Sequence, residues 1–160
     1  MAVSAGHTRI VQLLLKTMES SYADRIVTNH VDENGEAPIH VAARCGSSEI
    51  MELLILHGAN LGLVDGLGKT CLHCASQSGH ASCLALALDS GADEYLEVLS
   101  HDGFTPLHFA VRSNKTECVK QSSKLCKRMM ESKHNANIIT WPLPLFPQHR
   151  TAPPTRTAHV

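Results

Sequence analysis

Large aromatic side chains are scarce: one Trp, two Tyr and three Phe make up 4% of the 160 residues. Bulky layers of the kind that fill a sandwich or barrel are therefore not expected. The hydrophobic residues, 43% of the chain, build any core mainly from Leu, Ile, Val, Ala and Cys, which suits thin helices stacked closely. Long hydrophobic runs are missing too. The densest, Ile50 to Leu56, is interrupted by Glu52 and falls far short of the roughly 20 residues that cross a bilayer. The N-terminus has no basic segment followed by an apolar one, so no signal peptide and no membrane partner are predicted. Catalytic spacings are also absent, with no glycine-rich phosphate loop, nucleophile elbow or paired carboxylates, so the chain is not expected to be an enzyme or to take a cofactor or small-molecule substrate.

Net charge is nearly balanced at −1 but unevenly spread. Residues 1–120 hold 8 Lys/Arg against 14 Asp/Glu, and residues 121–160 hold 6 against 1. An acidic body gives no reason to expect nucleic-acid binding. Six cysteines, at 45, 71, 74, 83, 118 and 126, sit mostly at helical core positions rather than at framework spacings, which predicts buried thiols in a reducing, cytoplasmic compartment.

What the chain does have is a repeated phrase. Gly103 to Ala110 reads Gly-Phe-Thr-Pro-Leu-His-Phe-Ala, and versions recur at Gly35 to Ala42 and Gly68 to Ala75. The three histidines, His40, His73 and His108, lie 33 and 35 residues apart, each followed by Ala two positions on and by Gly or Asn six positions on. A fixed period in the thirties means a stacked repeat. Thr105 is a good N-cap and Pro106 suits the first helical position, so a helix starts there. Asn34-Gly35, Asp65-Gly66 and Asp102-Gly103 read as the tight turns before each helix. The Thr-Pro-Leu-His-x-Ala phrase with this period resembles the ankyrin repeat. That resemblance implies an all-α solenoid of helix-turn-helix units with β-turn tips, about three to four repeats over residues 1–120.

In chain order, residues 1–31 are a partial repeat that begins one position past its signature histidine. Its second helix, near His7 to Lys16, carries Ile10, Val11, Leu13, Leu14 and Leu15, matching Ile50, Met51, Leu53, Leu54 and Ile55. The connector from Thr17 to Val31 is seven residues longer than its next counterpart and reads as an extended surface loop. Residues 32–64 and 65–99 are full repeats, and 100–120 an incomplete one. There Gln121 and Ser122 stand where leucine-like residues belong, and 121–131 read as an off-pattern helix. Residues 132–160, rich in Pro, Thr, His and Arg, read as disordered. A chain that starts mid-repeat and departs mid-helix reads as a truncated or alternatively spliced form of a longer protein.

Cys71, His73, Cys74, His80 and Cys83 place five soft or borderline metal ligands within thirteen residues. The repeat explains each of them on its own, and no second Cys-x-x-Cys lies at a useful distance, so no metal site is assigned. Asn114-Lys115-Thr116 is a glycosylation sequon by letters only, joining two helices. Pro144-x-x-Pro147 fits a polyproline ligand but lacks a well-placed basic flank. Lys124, Lys127, Arg128 and Lys133 are a nuclear address or, more simply, a solvated helix face.

The resemblance also implies where a partner protein would bind: the turn tips and the exposed face of each first helix, as in an adaptor or scaffold. On this chain the tips are Glu33, Asn34, Glu36, Leu67, Lys69, His101, Asp102 and Phe104, and the helix positions are Arg44, Gln77 and Arg112. Leu67 and Phe104 are apolar where solvent is expected, as interface anchors would be, although Phe104 has the alternative of folding back onto the next turn. The signature histidines His40, His73 and His108 are implied to be structural. The alternative to a binding module is a decoy or unstable product with no function of its own, since about three repeats are needed for stability and both end repeats are damaged.

Overall fold

The computed structural model describes residues 2–17 and 27–133. Its elements are α1 (Thr8–Thr17), α2 (Pro38–Cys45), α3 (Ser48–Leu56), α4 (Cys71–Ser78), α5 (Ala81–Asp89), a 3₁₀ helix (Ala92–Glu97), α6 (Pro106–Arg112) and α7 (Thr116–Lys133). No strand occurs among the described residues. The helices form two columns: α2, α4 and α6 pack in series as the inner column, and α1, α3, α5 and α7 as the outer one. Each inner helix turns back into its outer partner through a left-handed residue, Gly46, Gly79 or Asn114.

Local chemistry sets the helix starts. In α6 the Thr105 hydroxyl accepts from the His108 N–H at 3.4 Å while His108 Nδ1 accepts from the Thr105 N–H at 3.2 Å, a reciprocal cap in which histidine takes the place usual for glutamate. His40 and His73 accept from the N–H of Ala37 and Thr70 in the same way, at 3.1 and 3.0 Å. Where α3 ends, Gly58 is left-handed (φ 81°), the Ala59 N–H reaches the Leu54 carbonyl at 2.9 Å and the Gly58 N–H reaches that of Ile55 at 3.0 Å.

The core runs between the columns. Ile39, Ala42, Ala43, Leu72 and Ala75 of the inner helices and Ile50, Met51, Leu54, Cys83, Leu84 and Ala87 of the outer ones are all buried. At the ends the same pattern is uncovered. Ile10 and Leu14 occupy the positions of buried Ile50 and Leu54, yet both are about half exposed, as is Leu13. Val111 occupies the position of fully buried Ala43 and Ser76 and is 60% exposed.

Several expectations need correcting. The second turn does begin at Asp65-Gly66, closing with the Gly68 N–H on the Asp65 carbonyl at 2.9 Å, and its left-handed residue is Gly68 (φ 72°). Gly66 instead permits close approach, since a Cβ there would lie 2.6 Å from the Asn34 carbonyl oxygen. The long connector is not extended throughout: residues 27–29 are helical, Thr28 is buried, and the Asn29 amide donates to the Gly58 carbonyl at 3.1 Å while its oxygen accepts from the Asn60 N–H at 2.7 Å. The two extra residues before Ser100 are absorbed by the 3₁₀ helix, whose Tyr95 ring covers Gly62. Residues 132 and 133, expected in the tail, end α7. The rest of the tail, with Pro144 and Pro147, and connector residues 18–26 lie outside the described residues.

Candidate functional site

Three tips line one edge of the inner column. Asp32 opens the first, where its Oδ1 accepts from the N–H of Asn34 (2.9 Å) and Glu36 (2.8 Å). The Glu36 N–H, joined by that of Asn34, holds this carboxyl below its usual range. Asp65 does the same for Leu67 and Lys69 at 2.9 and 2.8 Å, and Ser100 replaces it weakly in the third tip, at 3.4 Å from the Phe104 N–H. Aspartate at the first turn position is the sequence signal for these caps. Neighbouring tips are tied by backbone bonds, Gly66 N–H to the Asn34 carbonyl (2.8 Å) and His101 N–H to that of Leu67 (2.9 Å).

The signature histidines lock tip to helix. With Nδ1 accepting, Nε2 carries the proton and donates to a carbonyl further along the stack: His40 to Leu63 at 2.9 Å and His73 to Phe104 at 3.1 Å. Burial pushes the His73 imidazole down to about 4. His80 adds a tie between layers, its Nε2 donating to the Arg44 carbonyl at 3.1 Å while its ring fills the space over Gly46.

Above this frame the tips face the inner helices across a groove, and one side-chain pair spans it in each layer. Glu36 bonds Arg44 at 2.7 Å, the Lys69 ammonium donates to the Gln77 amide oxygen at 3.2 Å, and the Arg112 guanidinium lies 5.6 Å from the Phe104 ring centre. The pairs are homologous, each joining the fifth tip residue to the helix eight positions on. Phe104 therefore does not project as an exposed anchor, and the next turn, onto which it had the alternative of folding, lies outside the described residues. It turns in toward its own helix, edge-on to Phe109 with ring centres 6.0 Å apart. Leu67 does project, 58% exposed, beside an open cleft of about 600 Å³ lined also by Glu33, Asn34, Gly35, Glu36, Asp65 and Gly66. His101 and Asp102 are exposed on the third tip. Phe109, buried among the groove's cations, was not picked out from sequence because it occupies the signature's variable position.

The five soft ligands do not converge. Cys71 Sγ lies 3.6 Å from the Leu61 carbonyl, both nitrogens of His73 are engaged, and burial pushes the Cys71 and Cys74 thiols up to about 12. Among the described residues no three His, Cys, Asp or Glu side chains are grouped to hold a metal ion, and no helix is long and apolar enough to cross a membrane.

Stacked helical hairpins, histidine-locked tips and a groove lined by both define a repeat solenoid built to present a surface. Comparison with known proteins gives the family: the description of ankyrin repeats, in three copies, matches residues 1–65 and 48–137, and the chain belongs to the ankyrin-repeat family. It is 30% identical over 121 residues to the nuclear factor NF-kappa-B p105 subunit of Rattus norvegicus, covering 75% of this chain and 12% of that protein. It is 28% identical over 129 residues to the putative E3 ubiquitin-protein ligase XBAT31 of Arabidopsis thaliana (74% and 27%), and 36% identical over 112 residues to alpha-latrotoxin-Lg1a of Latrodectus geometricus (69% and 8%). The chain spans no more than 27% of the length of these relatives. Ankyrin repeats are in general non-catalytic protein-protein interaction modules.

Proposed function

We propose that this protein is a cytoplasmic adaptor or scaffold, without catalytic activity of its own, that holds a partner protein in the groove between the tips and the inner helices. The contacts are assigned to Glu33, Asn34, Glu36, Leu67, Lys69, His101, Asp102 and Phe104 on the tips and to Arg44, Gln77 and Arg112 on the helices. The observation that carries this reading is the row of three homologous pairs, Glu36–Arg44, Lys69–Gln77 and Phe104–Arg112. The same two positions of each layer hold long polar or aromatic side chains across an open groove, and their chemistry changes from layer to layer. A packing role alone would favour one repeated solution.

A photo-crosslinking amino acid placed at Leu67, on the tip side assigned to the groove, and at Leu56, exposed on outer helix α3, tests it. The groove position captures a partner that purifies and rebinds, and Arg112→Ala weakens that rebinding; capture at Leu56 alone would sink the reading.

The uncovered ends favour a second reading. With Ile10, Leu14 and Val111 exposed where the middle layers bury their equivalents, the chain would be a decoy or unstable product that needs another surface to complete its stack. A cooperative urea transition of the isolated chain, independent of protein concentration, would count against it.

A further inference from the structure

The groove's cation is ion-paired in the first layer and not in the next two, so its two ends call for different side chains. In the first layer Glu36 and Arg44 close on each other at 2.7 Å and cancel. Around them stand Asp32, Glu33 and Asp65, of which Asp32 and Asp65 cap their own turns, leaving Glu33 exposed on the wall of the cleft that Leu67 borders. In the next two layers the cations have no carboxylate within ion-pair distance among the described residues. Lys69 reaches only the neutral amide of Gln77 and Arg112 only aromatic faces. Both converge on one ring: Lys69 Nζ lies 5.0 Å and the Arg112 guanidinium carbon 5.1 Å from the centre of Phe109, which is itself buried. Two like charges are thus held within about 10 Å of each other, both against one buried ring. A ring face attracts each cation, but it does not neutralise either of them. An anion between them would relieve their repulsion and meet a positioned pair of donors.

Building on the groove reading above, we propose that the groove takes an extended protein segment with an Asp or Glu carboxylate bonded to Lys69 and Arg112, and a Lys or Arg toward Glu33. The distance between these poles is one to two layers. Inner helices pack about 8–10 Å apart, so an extended chain covers the gap in roughly three to six residues. An apolar side chain next to that Lys or Arg meets Leu67, which shares the cleft wall with Glu33. A carboxylate fits better than a doubly charged phosphate, because the neighbouring cleft is already walled by Glu33, Glu36 and Asp65.

Selection of random dodecapeptides on the purified full-length chain tests this, followed by titration of the synthetic consensus peptide. The expected consensus pairs an Asp or Glu with a Lys or Arg three to six residues away. Changing its acidic residue to the amide weakens binding about tenfold to a hundredfold, the effect of losing a charged hydrogen-bond pair. Lys69→Gln with Arg112→Gln, a pair mild enough to keep the fold, removes that sensitivity, and circular dichroism checks that it does. Lys69→Glu with Arg112→Glu selects basic residues at the same site. A consensus peptide whose binding depends on Leu67 but is indifferent to the acid-to-amide change would overturn this proposal and leave the groove reading standing. Peptides indifferent to Leu67→Ala, or no peptide recovered at all, would overturn both. Tighter binding of a phosphoserine peptide than of the Glu peptide would overturn the choice of carboxylate.

Discussion

Acid should loosen this stack at His73 before it reaches the carboxylates. The imidazole is fully buried, accepts from the Thr70 N–H at 3.0 Å and donates to the Phe104 carbonyl at 3.1 Å, an arrangement that only the neutral ring satisfies. Its folded pKa is lowered from 6.5 to about 4, chiefly by burial. The sign follows from which state binds the proton. Below about 6.5 the unfolded chain takes it up and the folded chain does not, so the contribution is fully present above that pH and is lost as pH falls toward 4. At pH 5 the loss relative to pH 7 is about 2 kcal/mol. With a urea slope of about 1.5 kcal/mol/M, the unfolding midpoint drops by roughly 1 M. The assay is urea unfolding followed by far-UV circular dichroism at pH 7 and pH 5, on the native chain and on His73→Asn. The variant is weaker at both pH values, by about 1–3 kcal/mol for the buried groups it leaves unpaired, but its midpoint should fall much less between them. If both proteins lose the same midpoint on acidification, His73 is not the titrating group and its neutral, Nε2-protonated state is wrongly assigned.

Gly68→Ala should cost about 2 kcal/mol, because φ is 72° and the new Cβ would lie 2.9 Å from the His101 backbone nitrogen; a midpoint unchanged by the substitution would show that the tip can shift. Ser122→Ala should stabilise by about 1 kcal/mol, since the Ser122 hydroxyl is buried without a hydrogen-bond partner, and a thermal melt reads the gain. Leu13→Lys with Leu14→Lys should leave the unfolding midpoint within about 0.5 kcal/mol while reducing self-association in sedimentation velocity, because both side chains are already half in water.

The parts of the fold readable from sequence are those fixed within one turn of chain. Thr105, Pro106 and His108 cap their own helix, so the start of α6 could be placed from three letters, and α2 and α4 followed by repetition. Where a residue's role depends on the adjacent layer, sequence reasoning failed or stayed open. Gly66 and Gly68 are equivalent as letters, and only the approach of the Asn34 carbonyl to Gly66 separates their jobs. Phe104 carries no mark of its orientation, because Phe109 and Arg112 set it from the facing helix. The helical end of the long connector depends on Asn29 meeting Gly58 and Asn60, about thirty positions away in the chain. The positions assigned to the groove came from the family resemblance, and the lone cations over Phe109 came only from the folded arrangement.

Affinity of the captured partner, measured by calorimetry against single-residue variants, tests the central claim most directly. Leu67→Ala and Arg112→Ala in the groove are expected to weaken binding about tenfold or more each, while Glu52→Ala on outer helix α3 leaves it unchanged. A partner that binds the groove variants as tightly as the native chain, or that loses affinity with Glu52→Ala instead, would contradict the account.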